Sequence, residues 1–436
     1  MGAATRPEAE ASLPEVPFID LFDARSAPLA FLSRTSARYG DLYRYTLDGW
    51  PAVVINDPVL ARKALQGDGE TLAKEGTPDL MMLRPMLGRG LMTNEGEAWR
   101  LSRAAAQPAF AATAVEGYAP GMLERIDAML ARWRTAAAPV LDLEQEFSRL
   151  TLEVVGDSLF STDFDPTHAD LGRSVEVMNR CVAHFDPADR AQPARFARAH
   201  GELHGLMQSI IDTRKPGTDD LLSALEARCA ADPLDPARAL RDEIVTFVMA
   251  GHETTAKALT WSMHLLAQHP RVEARLRAEA RAAFAAGGAV SAADLPYAWQ
   301  VIQEVMRLYP PVWLMSRRAT RPITLGGAIV PEGVLVIVSP YLLHRHPDHW
   351  REPARFDPDR FAPDRAPREA GAYMPFGAGH RVCIGRLFAA AETTLALART
   401  VAAFSCRHAG DPRVEPEALV TLRPRGGLPM TVTPVP

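Results

Sequence analysis

From Gly40 to Asn56 polar and apolar residues alternate on either side of Asp48-Gly49. Strand side chains alternate faces, and an Asp-Gly step supplies the positive-φ pair of a two-residue turn, so this stretch predicts a β-hairpin. Beyond Asp57 the apolar positions take helical spacing, interrupted by clusters such as Arg214-Lys215-Pro216-Gly217 and Asp232-Pro233-Leu234-Asp235-Pro236. The longest periodic segment, Ala237 to Gln268, holds no proline and stops at His269-Pro270, where the ring forbids continuation. At about 1.5 Å per residue it predicts a central helix on the order of 45 Å long. A second helix is predicted from Tyr297 to Leu308, closed by Tyr309-Pro310-Pro311. Between Ile323 and Ser339, β-branched residues and the Gly326-Gly327 and Glu332-Gly333 turns predict two short strands. The expected fold is therefore mainly α with small β regions. With no internal repeat and no flexible linker, residues 21–436 are expected to form one unit behind a flexible lead-in, residues 1–20.

Composition narrows the class of protein. Apolar residues make up 47% and charged residues 23%, enough to bury a large core and too apolar for a disordered chain. A net charge of −5 provides no global basic field, so nucleic acid is not an expected partner. The cysteines Cys181, Cys229, Cys383 and Cys406 are widely spaced and form no CxxC pair, which suits a reducing cytoplasm. Met1 to Pro17 has no apolar run that could act as a signal or anchor, and glycines, prolines and Glu332 break the richest apolar stretch, Ile323 to Leu343. A cytoplasmic monomer without a membrane anchor is expected.

The sharpest chemical signal is Phe376-Gly377-Ala378-Gly379-His380-Arg381-Val382-Cys383-Ile384-Gly385, followed by the helix-forming Arg386 to Glu392. Glycines at 377, 379 and 385 suit a tight loop whose N–H groups turn toward the Cys383 sulfur, and the following helix adds its positive end. Both influences favour a thiolate, the form that ligates a metal. A buried structural cysteine is the ordinary reading for the other three.

The pattern Phe-x-x-Gly-x-Arg-x-Cys-x-Gly is complete here, and at this point the chain resembles the cytochrome P-450 family of haem-thiolate monooxygenases, in their soluble bacterial form. The resemblance implies the single-domain fold of that family, with the long central helix over the haem. It also implies a haem b whose axial thiolate comes from Cys383, with Phe376, Arg381 and Gly385 around it. In the central helix, Ala250-Gly251-His252-Glu253-Thr254-Thr255 matches the family's oxygen-activation motif. Ala250 and Thr254 share a face, and small residues at 250 and 251 would let a flat macrocycle and dioxygen approach. The resemblance gives Thr254 a hydroxyl role toward dioxygen and Glu253 a proton relay. Read alone, the same residues describe a Gly-weakened helix with a back-bonding threonine.

Further residues fit the same picture. Trp99 and Arg103 resemble the family's Trp-x-x-x-Arg element for a haem carboxylate, although many bacterial members place a histidine where Trp99 stands. Arg317 is another candidate for that carboxylate, with Arg318 beside it as the alternative. Glu304 and Arg307, at i and i+3 on one helix, would by spacing alone be a surface pair. The resemblance joins them to Arg360 of Phe356-Asp357-Pro358-Asp359-Arg360-Phe361 as a structural cluster on the cysteine side. His344, His346 and His349 could suggest zinc, but similar stretches in the family are plain structure. Met81, Met82, Met86, Val248, Met249, Ala250 and Val312 to Met315 are expected to line an apolar substrate pocket.

The implied reaction inserts one oxygen atom from dioxygen into a hydrophobic small molecule. With no further domain after Pro436, electrons are expected from a separate ferredoxin or flavodoxin type donor and its NAD(P)H reductase. Two rivals stand beside this. A peroxide-driven peroxygenase would normally lack Glu253-Thr254, and a haem sensor or carrier would have no use for Thr254.

Overall fold

The computed structural model describes residues 12–436 except 68, 70, 163–168, 184–185, 187, 214–219, 233–234 and 366–368. The expected turn at Arg214 to Gly217 and the Pro233-Leu234 step lie outside the described residues. The chain divides into two compact units interleaved in sequence.

The first unit comprises residues 1–80, 314–353 and 367–382. Its hairpin strands Leu42–Leu47 and Trp50–Ile55 flank a turn with Asp48 and Gly49 both at positive φ, as the alternation requires. Trp50–Ile55 then pairs in parallel with Leu335–Val338, which pairs antiparallel with Met315–Ala319, and Leu72–Ala73 completes the sheet. Between Ile323 and Ser339 there are three strands rather than two. Ile323–Leu325 and Ala328–Val330 form their own hairpin at Gly326-Gly327, apart from Leu335–Val338. Strand Met315–Ala319 had no sequence signal, because its arginines mask the alternation. Val53, Ile55, Leu65, Val336 and Val338 meet in one apolar cluster that fixes the register. The lead-in is not wholly flexible. The Val16 N–H donates to the Arg44 carbonyl at 2.9 Å, and Val16 is buried along the first strand.

The second unit comprises residues 81–313, 354–366 and 383–436 and holds most of the helices. Its axis is the helix Pro236–Gln268, 33 residues long and about 50 Å by its rise. Asp235 caps it by accepting the Arg238 N–H, Pro236 occupies the first turn, and Pro270 follows its end. The helix is buried almost all round, which its mixed composition disguises. Its polar side chains turn inward onto specific partners, as when Trp261 Nε1 donates to the Leu422 carbonyl at 3.1 Å. Its main neighbour is the helix Leu143–Phe160. The second predicted helix is Pro296–Leu308, and the cysteine is followed by the helix Arg386–Ala403. No described helix is long and apolar enough to cross a membrane.

Glu392, in the middle of Arg386–Ala403, is fully buried, and neither carboxyl oxygen has a partner. Burial pushes its carboxyl well above the ordinary value of 4.5, so the folded state holds the proton more tightly than the unfolded state. A raised folded-state value means that stability is full below the ordinary glutamate range and is lost as pH rises above it. Glu392→Gln is therefore expected to flatten this fall, gaining about 1–3 kcal/mol on wild type between acid and mildly alkaline pH. Urea midpoints across pH measure it, and parallel curves for the two proteins would contradict it.

Candidate active site

In the second unit Cys383 is the one cysteine that solvent reaches; Cys181, Cys229 and Cys406 are buried. Gly385, which caps the helix Arg386–Ala403, turns its N–H toward the sulfur, and a Cβ at 385 would lie 3.9 Å from it. Burial pushes the thiol up, and the Gly385 amide with the charges of Arg103 and Arg386 only partly opposes this. Cys383 is exposed as a residue while its thiol is ringed by protein, so the two observations do not conflict. A thiol gives up its proton when a metal takes its place, so the donor fits a haem iron. Of the glycines expected to turn amides toward the sulfur, Gly377 is engaged elsewhere, its N–H donating to the Met374 carbonyl at 3.1 Å.

Arg103 lies in the helix Gly96–Ala106, half-buried, close enough to Cys383 and Arg386 for their charges to act on it. Its Nε donates to Gln107 at 3.2 Å. Trp99, one turn earlier, is also half-buried. The long helix anchors this helix and the loop before it. Ser102 donates a hydrogen bond to Glu243, Leu91 N–H donates to Glu243 at 2.8 Å, and Arg89 N–H donates to Asp242 at 2.8 Å. A Cβ on Gly88 would sit 2.2 Å from the Asp242 carboxyl, so only glycine allows this approach. Nothing in the sequence marked Asp242 and Glu243 for that task.

Ala250 to Thr254 lie in the middle of the long helix. Thr254 Oγ1 donates to the Ala250 carbonyl at 2.7 Å, the back-bonded form that helix chemistry favours. Its oxygen can still accept a hydrogen bond, but donating to a ligand requires breaking the back-bond. Gly251 has a reason other than the one expected. A Cβ there would come within 2.9 Å of Val155 Cγ2, so the missing side chain admits the neighbouring helix Leu143–Phe160 rather than a macrocycle. Glu253 is buried, its Oε1 accepting from Asn179 Nδ2 at 2.8 Å and Thr421 Oγ1 at 2.7 Å. Neither partner had a sequence signal, because both are distant in the chain.

Of the expected pocket residues, Met86 and Val248 are fully buried core, whereas Met81 is 57% exposed. Periodicity cannot separate a core methionine from a pocket one. Glu304 and Arg307 are not a surface pair. Both are fully buried, joined by bonds of 2.6 and 2.8 Å, with Arg360 at 3.3 Å and the Asp357 N–H at 2.8 Å on Glu304.

In the first unit Arg317 and Arg318 are adjacent strand residues and project from opposite faces. Arg318 lies over the Gly76 turn, while Arg317 Nη1 donates to the Ser316 carbonyl at 2.8 Å. Phe376 and Arg381 are half-buried on the loop that ends at Val382. A Cβ on Gly379 would sit 2.2 Å from the Leu65 carbonyl, which seats that loop on the helix Pro58–Gln66. The histidines serve structure: His344 Nε2 accepts the Met374 N–H at 2.9 Å, and His346 Nε2 meets Asp41 at 2.9 Å.

A family model described as Cytochrome P450 matches residues 12–430. The chain is 35% identical to cyclooctatin synthase of Streptomyces melanosporofaciens over 94% of this chain and 90% of the relative. Identity to pentalenene oxygenase of Streptomyces avermitilis is also 35%, over 91% of this chain and 90% of that one. A plant protein, cytokinin hydroxylase of Arabidopsis thaliana, is 32% identical over 80% of this chain and 72% of its own length.

Proposed function

Since this chain belongs to the cytochrome P450 family, we propose that it oxygenates a cyclic terpenoid hydrocarbon, with Cys383 as the axial ligand of its haem. The chain is a monooxygenase that uses haem b, dioxygen and electrons from a redox partner to insert one oxygen atom into a hydrophobic molecule. When bound, the haem supplies the redox chemistry that activates dioxygen; the protein supplies ligation, positioning and protons. The observation that supports the assignment of Cys383 is its exposed position with the sulfur beside the Gly385 amide, Arg103 and Arg386. Support for the terpenoid class comes from the two Streptomyces relatives, one of them named for pentalenene.

Within this reading Phe376, Gly385 and Ala250 would hold the haem, with Gly251 admitting the helix Leu143–Phe160. Trp99, Arg103, Arg317 and Arg381 would serve its carboxylates. Thr254 and Glu253 handle hydrogen bonding and protons on the oxygen side. The catalytic domain is residues 21–436, acting as a cytoplasmic monomer with a ferredoxin or flavodoxin type donor. Turnover of a cyclic terpene in labelled dioxygen is the direct test: one labelled oxygen in the product is expected, and an unlabelled product defeats the reading. Thr254→Ala is expected to divert at least about half of the reducing equivalents to hydrogen peroxide, since losing a positioned proton-handling group commonly costs about 10²-fold or more in its step. Peroxide assay against NADPH consumed reads this, and undiminished coupling removes the role given to Thr254.

A further inference from the structure

Two turns before the oxygen-activation segment, the long helix Pro236–Gln268 presents one buried stripe, Asp242, Glu243, Thr246 and Phe247, to the chain that carries Arg103, all within the second unit. Glu243 is 1% exposed, and its two oxygens take neutral donors, the Leu91 N–H at 2.8 Å and the Ser102 hydroxyl. Burial pushes this carboxyl above the ordinary glutamate value, and the Ser102 hydroxyl is the strongest influence against that. Taking a carboxyl out of water offsets most of what two such bonds gain, so their main effect is on position. Beside it Asp242 accepts the Arg89 N–H at 2.8 Å, and a Cβ on Gly90 would run into Thr246 Oγ1 and the Asp242 carbonyl, so this turn lies directly on the helix. Thr93 closes the turn from within: its hydroxyl donates to the Gly88 carbonyl at 2.7 Å and accepts the Gly90 N–H at 3.0 Å.

A second hold lies one turn further along the stripe. Phe247 stacks on Phe110, with ring centres 5.7 Å apart and planes 19° from parallel, and a Cβ on Gly385, beside the Cys383 sulfur, would lie 3.7 Å from the Phe110 ring. Arg103 stands between the two holds: it follows Ser102 in the helix Gly96–Ala106, and the turn Gln107–Phe110 carries the chain on to Phe110. The influences on Arg103 do not agree. Burial works against its guanidinium, Cys383 favours it and the like charge of Arg386 opposes it. An arginine regains rotamer freedom by swinging outward, so its place near Cys383 depends on where the helix beneath it is set.

We propose that Glu243 is a positioning residue for the haem: through Ser102 it sets the helix that carries Arg103 and so fixes the positive charge that Arg103 presents to a haem carboxylate beside Cys383. The inference rests on the reading in which Arg103 serves that carboxylate. A fixed positive charge beside the haem favours the reduced iron, which carries one positive charge less than the oxidised iron. Slack in this mount therefore lowers the reduction potential and loosens the haem. Glu243 acts only through Ser102 and Arg103, and it makes or breaks no bond in the reaction.

Ser102→Ala cuts the link without changing a formal charge or adding bulk, and alanine is the better helix former, so the helix itself is not weakened. In the holoenzyme it is expected to lower the ratio of reduced to oxidised haem at a fixed potential about threefold and to speed haem transfer to excess apomyoglobin about tenfold. Arg103→Gln should lower the ratio further, and adding Ser102→Ala to it should lower it no more, because the link acts through Arg103. Glu243→Leu is expected to shed haem as Ser102→Ala does, whereas Glu243→Gln, whose amide can accept from Leu91 and donate to Ser102, keeps it. Trp261→Phe, which removes a buried hydrogen bond toward the other end of the same long helix, should lower the melting temperature and leave the potential alone. An equal fall in potential in Trp261→Phe, or wild-type haem retention in Glu243→Leu, overturns the proposal. If Arg103→Gln moves neither potential nor haem retention, the carboxylate reading of Arg103 fails and the proposal with it. If Arg103→Gln moves both and Ser102→Ala moves neither, or the two losses add, only the positioning role of Glu243 fails.

Discussion

Cys383→Ser is expected to lack the strongly red-shifted Soret band expected of the reduced, carbon-monoxide-treated wild type, and to lose oxygen insertion with it. A serine hydroxyl keeps the size of the thiol but not its softness or its capacity to push electron density onto iron. Disturbing only the outer surroundings of a metal site costs about 10–100-fold, so loss of the ligand itself is expected to exceed that. Cys406→Ser serves as the control, since Cys406 is buried away from solvent and burial pushes its thiol up to about 12. An unchanged band in Cys383→Ser, or a band lost only in Cys406→Ser, would place the ligand elsewhere.

Arg307→Ala is expected to be the most destabilising single truncation proposed here, at about 3–5 kcal/mol, because it strands a fully buried carboxylate. Burial already pushes Glu304 above the usual range, and Arg307 is the strongest opposing influence, ahead of the Asp357 amide and Arg360. Removing both charged groups at once should cost less than the sum of the single losses, since no lone buried charge remains. Denaturant midpoints of Arg307→Ala, Glu304→Ala and the double variant measure this. Additive losses would mean that the pair behaves like the exposed pairs common on helix surfaces. The cluster ties the helix Pro296–Leu308 to the segment Arg355–Arg360, so haem retention is expected to fall together with stability.

Elements with a local cause could be read from the chain. The hairpin at Asp48-Gly49, the long helix with its proline stops and the helix after Cys383 each follow from spacing and turn chemistry. The cysteine loop was legible because its identities are crowded into ten residues. Elements whose cause lies elsewhere in the chain were not legible. Met315–Ala319 is a strand because Leu335–Val338 and Leu72–Ala73 pair with it, not because its own residues alternate. Gly251 could suggest a gap for a ligand until Val155 was found filling the space beside it.

What the sequence by itself determined is therefore the family, the reaction and the residue types of the site, since motif chemistry is local and survives without knowledge of packing. What only the tertiary structure decided is how those residues stand. Thr254 is tied to Ala250, Glu253 is held by Asn179 and Thr421, and Glu304 and Arg307 are wholly enclosed. Burial and hydrogen bonding join residues far apart in the chain, and they set the energy of a polar group more strongly than its neighbours in sequence do.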